Sequence, residues 1–159
     1  MSYSNNMGRY LYKGAALAIA AGVVALHEGY KEETYLDPIG IPTICYGSTS
    51  GIKLGMKKTK GDCEALLKKD LEKAVDAVDR LVKVPITEYE WAAYTSFVYN
   101  VGEGRFANTP SVLGRLNKGD RKGACEGLLK YVYAGGIKLK GLVRRRGEES
   151  KLCLKGLEL

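Results

Sequence analysis

The sequence predicts an α+β domain, mostly α-helical, on three observations. Between Cys63 and Val82 the apolar positions Leu66, Leu67, Leu71, Ala74, Val75, Val78, Leu81 and Val82 recur at helical spacing. Thr87-Glu88-Tyr89-Glu90 has the form of a capping box and opens a second apolar run, Trp91 to Asn100. Against these stands one short stretch near residues 35–47, where β-branched residues flank a Gly-bearing turn. At 159 residues, with 45% apolar and 27% charged side chains, the chain can bury a real core as one domain or one domain with a small lobe.

Residues 1–9 are polar, and Arg9 and Lys13 are the only charged side chains before Glu28. Gly14 to Leu26 is thirteen uncharged residues rich in Ala and Gly, short of the roughly 20 that span a bilayer. Reading back to Tyr10 lengthens the run, with Lys13 able to snorkel to an interface. Leu17, Ile19, Val23, Val24 and Leu26 spread around the helical axis, and a helix apolar all round is buried or in a membrane. Residues 1–26 therefore read as a weak signal anchor or as a buried first helix, which can both hold at different times. A cleaved signal peptide is the third reading. The basic flank would keep the amino terminus cytoplasmic and leave Glu28 just beyond the outer face of the inner membrane.

From Ser48 to Lys58 the chain reads as loop, punctuated by Gly51 and Gly55. Thr59 with Asp62 marks a helix start, and Pro85 follows the end of that helix. Its polar face, with Lys68, Lys69, Asp70, Glu72 and Lys73, reads as solvated surface. Val101 to Gly104 stops the next helix. Shorter helices are expected at about 110–117 and about 120–134, the latter closed by Gly135-Gly136, and a last one from about Leu142 to Cys153. The boundaries this implies are a small β lobe at about 28–60, a connecting helix at about 60–82 and a helical lobe at about 83–159.

Twenty-five basic against 18 acidic residues leave a formal charge of +7, which favours a polyanionic partner: nucleic acid, anionic lipid or anionic cell-wall glycopeptide. The basic residues are dispersed, without a recognition-helix pattern, which disfavours nucleic acid. Four cysteines (Cys45, Cys63, Cys125, Cys153) contain no C-x-x-C pair and His27 is the only histidine, so no zinc site, and no other metal or cofactor, is expected. They fit two disulfides in an exported protein or four buried thiols, with the first favoured.

The chemistry concentrates between Glu28 and Thr49. Glycoside hydrolysis commonly uses one carboxylic acid to protonate the leaving oxygen and a second carboxylate to handle water or the sugar cation. Glu28 follows an apolar helix, so its stem can lie against core. Asp37, ahead of Pro38 and Gly40, belongs in a hydrated turn and should stay ionised. Alternation along a hairpin from about 35 to 46 would put Ile41, Thr43 and Cys45 on one face, with the Thr43 hydroxyl available to orient a water.

The spacing of Glu28, eight residues, Asp37, five residues and Thr43 resembles the catalytic signature of phage-type lysozymes, glycoside hydrolase family 24. The surrounding run EGYKEETYLDPIGIPTICYGST agrees, as do GMKKTKGDCEALLKKDL, SFVYNVGEGRF, LLKYVYAGG and GLVRRRGEESKLC in their order. Ser48 departs from the family, where many members carry His. The resemblance implies a two-lobed fold with a small β-hairpin lobe and a larger helical lobe joined by a long helix. It implies hydrolysis, with inversion, of the β-1,4 bond between N-acetylmuramic acid and N-acetylglucosamine of peptidoglycan. Glu28 would be the acid, Asp37 the base and Thr43 the residue that positions water. Read from the residues themselves, Asn100 either lines the cleft or holds backbone at its helix end, and Arg144, Arg145 and Arg146 either include one that meets Glu28 or a glycopeptide carboxylate or form a solvated basic cluster. Proximity of motifs points to Cys45–Cys63 and Cys125–Cys153 among the three possible pairings.

The weakly apolar segment ahead of Glu28 resembles the signal-anchor-release endolysins of this family. That implies a monomer tethered on the periplasmic side of the host inner membrane, then released to the periplasm to meet glycan strands, with no nucleic acid partner. Competing expectations are a lytic transglycosylase on the same substrate and a non-catalytic basic protein that binds polyanions or membrane.

Overall fold

The structure, a computed structural model, describes residues 6–158, with side chains from Leu11 onward. Helix α1 (Asn6–His27) leads into a hairpin of β1 (Lys31–Leu36) and β2 (Pro42–Cys45), and the long α2 (Lys60–Leu81) carries the chain to the helical lobe. That lobe contains α3 (Glu88–Val101), α4 (Glu103–Ala107), a π turn (Pro110–Gly114) running into α5 (Arg115–Asn117), α6 (Arg121–Gly127), a 3-10 turn (Leu128–Lys130), a second hairpin of β3 (Tyr133–Ala134) and β4 (Ile137–Lys138), and α7 (Lys140–Gly156).

Capping boxes open both long helices as the sequence predicts: Thr59 accepts from Asp62 N in α2, and Thr87 accepts from Glu90 N in α3. Helix α3 is the hub, packed against α1, α2 and α7. Every residue from Glu90 to Val98 is buried, which explains why its apolar character runs around the whole helix. Its polar residues bond internally: Thr95 Oγ1 donates to the Trp91 carbonyl at 2.8 Å, and Trp91 Nε1 donates to the Val75 carbonyl at 3.1 Å.

Helix α1 buries Ala16, Ala20 and Val24 completely, a comb of three small side chains four residues apart that lets it lie close to its neighbours. The expectation of a helix covered all round is corrected. Leu11 and Leu26 are 71% and 76% exposed, and Gly14, Ala15, Ala18, Gly22 and Ala25 are exposed between them. No described helix is long and apolar enough to cross a membrane.

The first hairpin pairs Lys31 with Cys45, Tyr35 with Thr43 and Leu36 with Pro42, with an irregularity between Lys31 and Tyr35. It starts four residues earlier than the alternation indicated. Ile41 lies in the turn and is exposed, while Thr43, Ile44 and Cys45 are all buried, so a single apolar face does not describe β2. The strand is covered on both sides because Cys45, at φ +62°, turns toward α2 and is bonded to Cys63. The second disulfide joins Cys125 of α6 to Cys153 of α7, so both pairings match the expectation.

Two other boundaries differ. Gly102, at φ +93°, ends α3 but helix resumes at once as α4. The helix expected to reach residue 134 ends at Gly127. Gly135 and Gly136 both take positive φ, the conformation of a two-residue hairpin turn, and reverse the chain between β3 and β4.

Candidate active site

Glu28 is the first residue past α1, held by its amide, which donates to the Val24 carbonyl at 2.9 Å. Its carboxylate is 23% exposed and accepts from Arg145 Nη1 at 2.6 Å. Arg145 sits on the second turn of α7 and is 4% exposed. The same guanidinium donates to the Ser96 carbonyl at 3.1 Å and to Glu149 Oε2 at 3.3 Å. A guanidinium with three acceptors has little freedom, so Glu28 faces a fixed cation.

Behind Arg145 lies a buried ionic cluster. Glu149 is fully buried, accepts from Ser96 Oγ at 2.5 Å, and pairs with Arg146 at 2.8 Å, slightly off hydrogen-bonding alignment. Burial pushes the Glu149 carboxyl above the usual carboxylate range, against the pull of Arg146, Ser96 and Arg145. Burial likewise lowers Arg146 to about 10, against the Glu149 charge. Arg146 stands over the Phe97 ring at 4.7 Å and donates to Asn100 Oδ1 at 2.8 Å.

Glu28 opens onto a cavity of about 320 Å³ together with Gly47, Ser48, Thr49, Ser50, Asp70, Tyr99 and Asn100. The wall opposite α1 is the turn after β2. Tyr99 of α3 ties that turn down by donating to the Tyr46 carbonyl at 2.8 Å, and Ser48 Oγ donates to Asp70 Oδ2 at 2.6 Å. Ser48 thus ties the turn directly to α2. At Gly47, φ is +87° and a Cβ would come 3.0 Å from Glu28 Oε2, so only glycine both makes this turn and leaves room for the carboxylate. Burial, followed by the charges of Glu28 and Asp70, raises the Tyr99 phenol far above its ordinary range, so it remains a donor.

Asp37 and Thr43 lie on the first hairpin and do not line this cavity. Asp37 is half-exposed in the turn, where its Oδ1 accepts from Ile39 N at 2.9 Å and Ile41 N at 2.8 Å. Thr43 is buried and its hydroxyl donates to the Ile41 carbonyl at 2.9 Å. The link to Glu28 is Tyr35, the cross-strand partner of Thr43. Its phenol is raised by burial first, then by the charges of Glu28 and Asp37, so it stands within electrostatic reach of both.

Asn100 therefore shares the cavity with Glu28, Arg145 meets Glu28, and Arg146 acts on Asn100. Arg144 is exposed. Sequence reasoning missed Gly47, Tyr99 and the pair Ser48–Asp70, all of which approach Glu28 across the fold. The ring of His27, next to Glu28, has its Nε2 2.6 Å from Glu148 Oε2, one helical turn from Arg145. No described cluster of His, Cys, Asp or Glu could hold a metal ion.

Residues 25–149 match the family model described as phage lysozyme. A protein of Enterobacteria phage PA-2 named SAR-endolysin is 40% identical over 160 residues, covering 92% of this chain and 96% of its own. The muramidase domain of SpmX from Asticaccaulis excentricus superposes with a TM-score of 0.79 at 32% identity, covering 85% of this chain and 94% of that one. The active form of the P1 phage endolysin Lyz gives a TM-score of 0.77 at 26% identity, over 87% of this chain and 84% of that one. The secreted inactive form of the same enzyme gives 0.51, over 67% and 76%.

Proposed function

The chain belongs to the phage lysozyme family, and from that premise we propose that this muramidase-type glycoside hydrolase cleaves the β-1,4 bond between N-acetylmuramic acid and N-acetylglucosamine with inversion. In this reading Glu28 gives its proton to the glycosidic oxygen as the bond to the anomeric carbon breaks. Water attacks the opposite face of that carbon and loses a proton to Asp37. Two local arrangements support these roles. Oδ1 of Asp37 is occupied by two backbone amides, which aims the carboxylate and leaves Oδ2 to act as base. The Thr43 proton is committed to the Ile41 carbonyl, so its oxygen lone pairs are left to accept from the attacking water.

The observation that carries the reading is that Glu28, held by buried Arg145, opens onto the cavity, while Tyr35 of the hairpin that bears Asp37 and Thr43 lies within reach of the Glu28 charge. The test is clearing of purified cell walls by the wild-type protein and Glu28→Gln, a loss of about 10²–10⁴-fold being expected for removal of a general acid. Equal clearing by both would refute the assignment of Glu28. Products bearing 1,6-anhydro ends in place of reducing ends would make the enzyme a transglycosylase and remove Asp37 from the mechanism.

The second part of the proposal concerns control. The segment that forms α1 is exported as a membrane anchor on the periplasmic side of the inner membrane, and its release lets it pack onto α3 and carry Glu28 to Arg145. Three observations support this: the comb of Ala16, Ala20 and Val24 that seats α1, the apolar composition of its exposed face, and the greater likeness to the active form of Lyz than to its inactive form. The released chain would then act in the periplasm as a monomer. Fractionation of expressing cells in which the full-length chain never appears with the membrane would overturn it.

A further inference from the structure

The hairpin of β3 and β4 is uncovered on both sides. Tyr133 pairs with Lys138 and Ala134 with Ile137, so the two pairs point to opposite faces. Both faces are exposed: Tyr133 is 55% and Ile137 65% open to solvent, with Leu139 exposed just beyond. These side chains do not serve the core. The hairpin is nevertheless held in place, since Leu128 and Val132 beneath it are buried and Leu139 N donates to the Val132 carbonyl at 3.0 Å.

The charge around it is one-sided. The dispersal of basic residues along the chain has one exception: from Leu128 to Gly147 there are six cations and no acidic residue. Arg145 and Arg146 turn inward to Glu28, Glu149 and Asn100. Lys130, Lys138, Lys140 and Arg144 stay exposed and have no ion-pair partner among the described residues. Uncompensated cations interleaved with exposed aliphatic and aromatic side chains therefore run along the chain through this hairpin and into α7.

We propose that this hairpin seats the protein on an anionic phospholipid surface turn-first, so that Ile137 and Leu139 on one side and Tyr133 on the other reach the headgroup–acyl boundary and the lysines lie over lipid phosphates. The combination selects the partner. An acidic glycopeptide would neutralise Lys138 and Lys140, but it is hydrated and would leave Ile137 and Leu139 in water. A bilayer interface satisfies the charges and removes the aliphatic groups from water together. This surface is distinct from the exposed face of α1, which from Leu11 to Leu26 presents Leu, Tyr, Gly and Ala, while its one lysine, Lys13, is paired with Asp76, so that stretch carries no uncompensated cation to distinguish anionic from neutral lipid. For a lysozyme released from the membrane as proposed above, it would hold the folded enzyme beside the bilayer, and its lipid binding requires no catalysis.

The test is co-sedimentation of the full-length chain with vesicles of phosphatidylglycerol and phosphatidylethanolamine, compared with phosphatidylcholine vesicles, at low and high salt. Each lysine near an anionic leaflet strengthens partitioning about fivefold, so Lys138→Glu with Lys140→Glu should lower binding to anionic vesicles more than tenfold and abolish the lipid preference. Ile137→Ser with Leu139→Ser should lower it severalfold while keeping the salt dependence. Leu11→Ser with Leu26→Ser should leave the lipid preference in place. Clearing of lipid-free cell walls by the hairpin variants verifies that they fold and should stay within about twofold of wild type. Equal binding of wild type to both vesicle types, or hairpin variants that sediment as wild type does, would overturn the proposal. So would hairpin variants that keep vesicle binding but lose wall clearing, which would give the surface to the glycopeptide. Loss of wall clearing by Glu28→Gln bears on the catalytic reading alone.

Discussion

Glu28 and Arg145, 117 residues apart in the chain, meet at 2.6 Å, and the arginine is the more buried of the two. The cation is set by α7 and the helices behind it, while the carboxylate arrives at the end of α1. The contact therefore reports whether α1 has docked. Arg145→Met should remove it and leave buried Glu149 with one cation fewer, at about 3–5 kcal/mol in stability. Arg145→Lys keeps the charge but cannot reach Glu28, Ser96 and Glu149 together, so folding should recover more than activity. Urea denaturation and wall clearing on both variants check this; equal recovery of the two quantities would contradict it.

Gly47→Ala tests the opposite wall. Forcing a left-handed conformation on alanine costs about 1–2 kcal/mol, and its Cβ would press on the Glu28 carboxylate. Displacement of a reacting group by about 1 Å can reduce turnover about a hundredfold. The expected result is a fall in kcat larger than the loss of stability explains. Gly119→Ala, also at positive φ but with open space around its Cβ position and far from Glu28 and Asp37, is the control and should lose stability with little effect on kcat.

Acid and neutral stability should differ because of Glu149. Burial raises its folded-state pKa above the ordinary glutamate value. A raised group stabilises the fold fully below its unfolded value and loses that contribution as pH rises through the folded one. The stability of wild type relative to Glu149→Gln should thus fall as pH rises from about 4. Urea midpoints across that range check the sign. A relative stability that grows with pH would show that Arg145 and Arg146 outweigh burial.

The two disulfides should separate activity from stability. Cys125–Cys153 lies within the helical lobe between α6 and α7, and its removal should cost about 2–5 kcal/mol with activity kept below the new melting temperature. Cys45–Cys63 anchors the end of β2 two residues before Gly47, so its removal should lower turnover even where the protein remains folded. Paired Cys→Ala variants, measured by thermal melting and wall clearing, make the comparison.

His27 supplies the last test. His27 and Glu28 are consecutive, and their partners Glu148 and Arg145 are three apart on α7, so one helix end is clasped twice. His27→Ala removes one side-chain hydrogen bond, at about 0.5–1.5 kcal/mol, and should loosen the approach of Glu28. Faster amide exchange at residues 24–28, together with reduced kcat, is expected. Unchanged exchange there would make the histidine a bystander.

Legibility in the sequence followed the range of the interactions. Capping boxes, the apolar spacing of α2 and the turn at Asp37 depend on residues within a few positions, and all three are found where the chain indicates. Glu28, Asp37 and Thr43 are singled out by their spacing within one motif, and their roles are those proposed above. Gly47, Tyr99 and Asp70 reach the cavity only because β2, α3 and α2 converge, and no local pattern announces that. Among the three arginines, helical phase decides: Arg145 and Arg146 face α3 while Arg144 faces solvent. The β3–β4 hairpin was missed because Gly135-Gly136 is ambiguous between a helix stop and a hairpin turn, and the strands beside it are too short to show alternation.

The comb of Ala16, Ala20 and Val24 makes α1 a ruler as well as a support. Each tooth drops between neighbouring helices, and Glu28 is the next mark, four residues past the last tooth. A helix advances about 1.5 Å and turns about 100° per residue, so deleting one residue between Val24 and Glu28 would leave the comb seated and swing the acid away from Arg145. Deleting one residue ahead of Ala16 would leave that distance untouched. Indel tolerance along this helix should therefore change abruptly at the comb, even though none of its residues takes part in the reaction.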